Sequence, residues 1–188
     1  GFTSLMFDGS RLPYEENVTI TRSVVCVAHA AGVPVEAELG RVLNNGATPQ
    51  VVAAAMTDPR QAADFVGRTG CDSLAVAAGS VHAMTGSSAE LDVDRLRAIG
   101  RRVGIPLVLH GASGVTDESV LAAIAAGVCK VNVATYLKQG FVETLRAAMA
   151  AHPDEVDFRR LFAPAREAVK ERIRVKMRLF GASGRANG

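Results

Sequence analysis

Long apolar runs are missing from this 188-residue chain. No stretch reaches the ~18 consecutive apolar residues of a membrane-spanning helix, so no membrane partner is expected. A surplus of one charge is missing too. The 21 Lys and Arg oppose 19 Asp and Glu, for a formal net charge of +2. The basic residues are scattered, which leaves no electrostatic footprint for nucleic acid. Paired cysteines are absent. Cys26, Cys71 and Cys129 are odd in number and far apart, so neither a disulfide frame nor a CxxC zinc site is expected; they read as reduced core thiols of a cytoplasmic protein. No GxGxxG follows a strand pattern, which counts against a dinucleotide fold. The opening Gly1-Phe2-Thr3-Ser4 has neither Met nor a basic segment and reads as the middle of a domain rather than a signal peptide. What the chain has is a hydrophobic fraction of 48%, enough for a sizeable core, and the length of one ordinary domain.

Along the chain, short apolar runs end in a polar residue and give way to capped, periodic segments. Strands are expected over 4–7, 33–39, 71–78, 106–110 and 129–133, where apolar runs are bounded by turn signals. Helices are expected over 14–31, 50–55, 58–69, 91–102, 117–127, 136–150 and 164–180. Pro13 with Glu15 and Glu16, Asp58-Pro59, and Thr116-Asp117-Glu118 supply helix starts. Residues 181–188 form a small-residue tail, expected to be mobile. Strands recurring roughly every thirty residues with helices between them mark a parallel sheet with right-handed crossovers. An eight-stranded barrel is favoured over a doubly wound sheet, because polar residues stand at the end of every strand, as barrel chemistry requires.

Those strand ends are Asp8, Glu38, His82, His110 and Asn132. Two imidazoles and two carboxylates suit zinc or another borderline divalent ion. Glu36 and Glu38 fall on one side of their strand and need a partner or a metal there. After His110, Gly111, Ala112, Ser113 and Gly114 leave backbone N–H groups open to an anion. Val133, Ala134 and Thr135 lead from Asn132 into a helix N-terminus, a natural phosphate site. Each residue alone also has a structural role open to it: Asp8 as a turn cap, Glu38 paired with Arg41, His82 on a surface loop, Asn132 as a turn former. His29 and His152 read as structural.

The blocks GFTSLMFDGSRLPYEEN, VPVEAELGR, TDP, GCDSLAVAAGSVH, IPLVLHGASGV, AAGVCKVNVAT and PAREAVKERI…RLFGASGRA run in order over nearly the whole chain. They resemble the class II, zinc-dependent fructose-bisphosphate and tagatose-bisphosphate aldolases. The resemblance implies a TIM (β/α)8 barrel, with residues 1–188 as its C-terminal portion and roughly the first three strands absent. It implies that His82 and His110 bind the catalytic zinc, and that Asp8 and Glu38 serve a second or alternative metal position. Gly111, Ala112 and Ser113, together with Asn132, Val133, Ala134 and Thr135, would hold the phosphate of dihydroxyacetone phosphate. Arg159 resembles the arginine that a neighbouring subunit lends to the far phosphate, so a homodimer or homotetramer is implied.

The implied reaction is retro-aldol cleavage of a ketose (bis)phosphate in carbohydrate metabolism, with zinc as Lewis acid. No lysine Schiff base is needed, and Lys130 reads as phosphate-side or structural support. Three departures stand out. The family's HxDH-like segment, with the proton-abstracting aspartate and a third histidine, would lie upstream of Gly1. No acid occurs between Glu38 and Asp58, where the family has an acidic loop. Ala83 replaces the usual glycine after His82. The alternative these leave open is a protein that binds metal and sugar phosphate with altered or lost cleavage.

Overall fold

The computed structural model describes residues 1–83, 86 and 88–186. Five short strands form one parallel sheet: β1 (Leu5–Phe7), β2 (Val35–Leu39), β4 (Ser73–Val76), β6 (Leu107–Leu109) and β7 (Val128–Val131), in the order β1-β2-β4-β6-β7. Sequence order and spatial order agree, as crossover connections dictate. The crossovers carry α1 (Tyr14–Ala30), α3 (Pro59–Thr69), α4 (Val93–Val103) and α5 (Asp117–Ala125). β2 shows how one strand serves two sides. Val35, Ala37 and Leu39 enter the core, while Glu36 and Glu38 alternate to the opposite face. The helices cover the apolar side with Phe65, Leu96 and Ile99 against Leu74, Leu107 and Leu109, all fully buried.

Local signals set the helix ends. The Asp58 carboxylate accepts from the N–H groups of Arg60 and Gln61, with Pro59 pre-set for the first turn. Asp92 and Thr116 cap α4 and α5 in the same way. A second, two-stranded parallel sheet pairs β3 (Leu43–Asn44) with β5 (Val81–His82). Strands of two residues leave no periodicity to read, so this pair is invisible in the sequence. A further short helix, α2 (Pro49–Ala55), follows β3.

Two expectations need correction. Only Cys71 is a core thiol; Cys26 and Cys129 are exposed. The last helix, α7 (Phe158–Leu179), begins six residues ahead of Pro164 and runs through it. Proline removes one helical N–H, but Asp157 caps the start, and the edge-to-face contacts of Phe162 with Phe158 and Phe141 hold that first stretch. Phe141 belongs to α6 (Thr135–Ala151), which pairs with α7 as a helical hairpin. Arg172 of α7 stacks over the Tyr136 ring at 4.7 Å. Among the described residues, no helix is long and apolar enough to cross a membrane. Of the 181–188 tail, Ala182 is hydrogen-bonded back to Met177, and Asn187 and Gly188 lie outside the described residues.

Candidate functional site

His110 follows β6 directly and is 7% exposed. Its ring is clamped on both sides: Nε2 meets Glu36 Oε1 at 2.9 Å, and Nδ1 meets Glu38 Oε2 at 2.9 Å. The alternation of β2 makes this possible, since it puts both carboxylates on the side facing His110. Burial alone would disfavour the charged imidazole. The bonds to Glu36 and Glu38 outweigh that and push its pKa up to about 9. Burial likewise raises the Glu36 carboxyl, but His110 and Lys130 together hold it below the ordinary range. Lys130 Nζ, on β7, lies 2.6 Å from Glu36 Oε2. This contact reports the shape of the sheet. β4 and β6 stand between β2 and β7, so a flat sheet would separate those strands by about 14 Å. The pair forms because the five strands curl.

Beyond the clamp, a cavity of about 530 Å³ opens, lined by His82, Ala83, His110, Gly111 and Ser113, and by the segment Val131–Thr135. His82 reaches it on β5, which is tied to β3 by the Asn44–His82 register and by the Asn45 N–H bond to the His82 carbonyl. Gly111 makes the approach possible. It sits at φ +68°, and a Cβ there would fall 3.1 Å from Val42 and 3.2 Å from the Val81 backbone. Glycine thus lets β5 close over the end of β6. Ala83 adopts φ +60° without that freedom. On the far side, Asn132 N–H bonds to the Leu109 carbonyl, and Ser113 Oγ accepts from Tyr136 N–H at 3.3 Å. The two loops are therefore joined. α6 starts here with no side-chain cap from Ala134; Tyr136 N–H is taken by Ser113 and Leu137 N–H by the Ala134 carbonyl, which leaves the Thr135 N–H to face an anion.

The structure brings His82, His110, Gly111, Ser113, Asn132, Val133, Ala134 and Thr135 to one cavity, and Glu38 onto His110. Ala112 is buried beside them in the short 3-10 helix Ala112–Gly114. Asp8 is exposed, does not line the cavity, and accepts the Ser10 N–H at 3.0 Å. Arg159 lies in the first turn of α7, bonded to Asp157 and 80% exposed. The Glu36–Lys130 contact, across 94 residues, has no signature in the sequence beyond the alternating acids of β2. Among the described residues, no group of three or more His, Cys, Asp or Glu side chains is assembled for a metal ion. The donor chemistry still suits one: two imidazoles at one cavity, with the Glu38 carboxylate against the second.

The site joins a parallel α/β sheet to two imidazoles and open loop backbone gathered at one cavity. The family profile described as "Fructose-bisphosphate aldolase class-II" matches residues 1–185. The chain belongs to the class II fructose-bisphosphate aldolase family. It is 44% identical over 188 residues to a Bacillus subtilis (strain 168) protein named "Probable fructose-bisphosphate aldolase", covering 99% of this chain and 65% of the relative. The crystal structure of the YdjI aldolase from Escherichia coli K12 superposes with a TM-score of 0.78 at 40% identity, over 99% of this chain and 62% of that one. A solved structure from Coccidioides immitis gives a TM-score of 0.82 at 32% identity, over 100% and 66%. The chain thus spans just under two-thirds of the length of these relatives.

Proposed function

We propose that the protein containing this chain cleaves a ketose (bis)phosphate to dihydroxyacetone phosphate and an aldehyde, in a zinc-dependent retro-aldol reaction. The observation that carries this reading is the shared cavity: His82 and His110 face it together with the loops 111–113 and 132–135. His82 and His110 hold the metal, and the third neutral ligand comes from residues outside these 188. When bound, the metal supplies Lewis-acid polarisation of the ketose carbonyl. The backbone around Gly111 to Ser113 and the segment Asn132 to Thr135 that leads into α6 bind the phosphate. Binding there anchors the substrate and aims its cleavable bond at the metal side of the cavity. Lys130 is engaged by Glu36 and takes no part as a Schiff-base nucleophile. Arg159 reaches the far phosphate of a neighbouring subunit in a homodimer or homotetramer, and Asp8 serves a second cation position. The protein works in the cytoplasm, in carbohydrate metabolism such as glycolysis.

The same reading makes the sheet the C-terminal five strands of a (β/α)8 barrel. The curl reported by the Lys130–Glu36 pair supports it, as does similarity to structures that this chain covers by about two-thirds. Steady-state cleavage of several ketose phosphates by the full-length protein, with and without zinc, tests the proposal. Release of dihydroxyacetone phosphate from at least one of them is the expected result.

A further inference from the structure

His110 carries a feature that its role as a metal ligand does not explain. Both ring nitrogens are occupied, each by a different carboxylate. A metal needs one nitrogen as a lone pair, and the other then carries the proton. The two carboxylates are not equivalent. Glu36 pairs in register with Ser73, and Glu38 with Ala75, so Glu38 stands two residues nearer the C-terminal strand ends, where His82 and the cavity lie. Glu36 sits behind, toward the N-terminal ends of the strands. Its second oxygen is anchored by Lys130 at 2.6 Å, whereas among the described residues the Glu38 carboxylate has no cation beside it other than His110.

We propose that Glu36, anchored by Lys130, is a positioning residue that keeps the proton on His110 Nε2 and presents Nδ1 to the metal, while Glu38 is the carboxylate that yields. The inference rests on the metal site proposed above. The arrangement is the carboxylate–histidine–metal relay, in which the outer partner fixes tautomer and ring orientation. Lys130 adds a further step, because a lysine-tethered carboxylate cannot swing to the metal itself. It also balances charge in a pocket where both acids are buried.

The experiment uses the full-length protein with Glu36→Ala, Glu36→Gln, Lys130→Met and Lys130→Arg. Zinc affinity is read by chelator competition, folding by circular dichroism, and the His110 ring by nitrogen-15 NMR of the zinc-loaded native protein. Glu36→Ala should weaken zinc by about 10–100-fold, the usual range for losing such a partner. Glu36→Gln, whose carbonyl still accepts from Nε2–H, should lose less. Lys130→Met should fall between, with Lys130→Arg restoring affinity. The NMR should show a protonated Nε2 and a metal-bound Nδ1. A folded Glu36→Ala protein with native zinc affinity would overturn the inference. So would a protonated Nδ1 in the native protein, a result that stands even where a variant fails to fold. Native protein that takes up no zinc would overturn the metal site itself, and the inference with it.

Discussion

Ala83 stands in the left-handed region at φ +60°, a conformation that costs a residue with a Cβ roughly 1–2 kcal/mol. The resemblance to class II aldolases places a glycine there. Ala83→Gly relieves the clash and loosens the unfolded chain, opposing effects with the relief the larger. Denaturant unfolding should show a net gain of about 0.5–1 kcal/mol; a loss would mean that the strain is relieved some other way. Gly111 is the reverse case. Gly111→Ala meets both a left-handed φ and the Val81 backbone at 3.2 Å. A destabilisation of about 1–3 kcal/mol is expected, together with displacement of β5 and His82 from the cavity. A crystal structure of the variant with β5 unmoved would contradict this.

Between elements, Asp72 joins the end of α1 to the start of β2. Its Oδ2 accepts from His29 Nε2 at 2.8 Å and from Val35 N–H at 2.7 Å. Burial pushes this carboxyl up, but the two bonds outweigh burial and hold it below the ordinary range. A depressed folded pKa stabilises above the unfolded value of about 3.9 and is lost as pH falls through the folded one. Melting temperature should therefore drop below about pH 4 in the native protein. Asp72→Asn should flatten that acid limb; an unchanged limb would assign it to other acids.

The loop carrying β3 raises a different question. It has no acid between Glu38 and Asp58, and Asn44 and Asn45 hydrogen-bond without titrating. General acid–base help is worth about 10²–10⁴-fold. Slow cleavage of fructose 1,6-bisphosphate, or preference for another ketose phosphate, is expected, with a gain on replacing Asn44 and Asn45 by Gly and Glu. Rates ordinary for the family in the native enzyme would show that an acid outside this loop does this work.

Much of the layout at this scale is legible in the sequence. Asp58-Pro59 and Thr116 announce their helices, and Val-Glu-Ala-Glu-Leu announces a strand with acids on one face. The β3–β5 pairing is not legible, because two-residue strands carry no period. The start of α7 at Phe158 is hidden by Pro164, whose usual meaning is a helix boundary, and tertiary packing on α6 overrides it. Of the strand-end residues, His82, His110 and Asn132 line the cavity and Asp8 does not. The double clamp on His110 is not legible, because it depends on a curl that brings β7 back toward β2.

Among the described residues, β1 and β7 are the outer strands of the parallel sheet with a partner on one side each, and Leu5 and Met6 on β1 are 37% and 39% exposed. Parallel sheets ordinarily have their edges and faces covered. Expressed alone, the 188-residue chain should self-associate or melt without a sharp transition, and sedimentation with calorimetry would show it. A monomer with a cooperative melt would mean that five strands suffice. The central claim, that His82 and His110 hold a metal for retro-aldol cleavage, is tested most directly by one measurement. That measurement is dihydroxyacetone phosphate release from ketose phosphates by the full-length protein, before and after chelation and zinc restoration, in the native, His82→Ala and His110→Ala forms. The expected result is release that chelation abolishes, that zinc restores in the native protein, and that zinc fails to restore in either variant. Release that survives chelation, or that persists at the native rate in both variants, would contradict it.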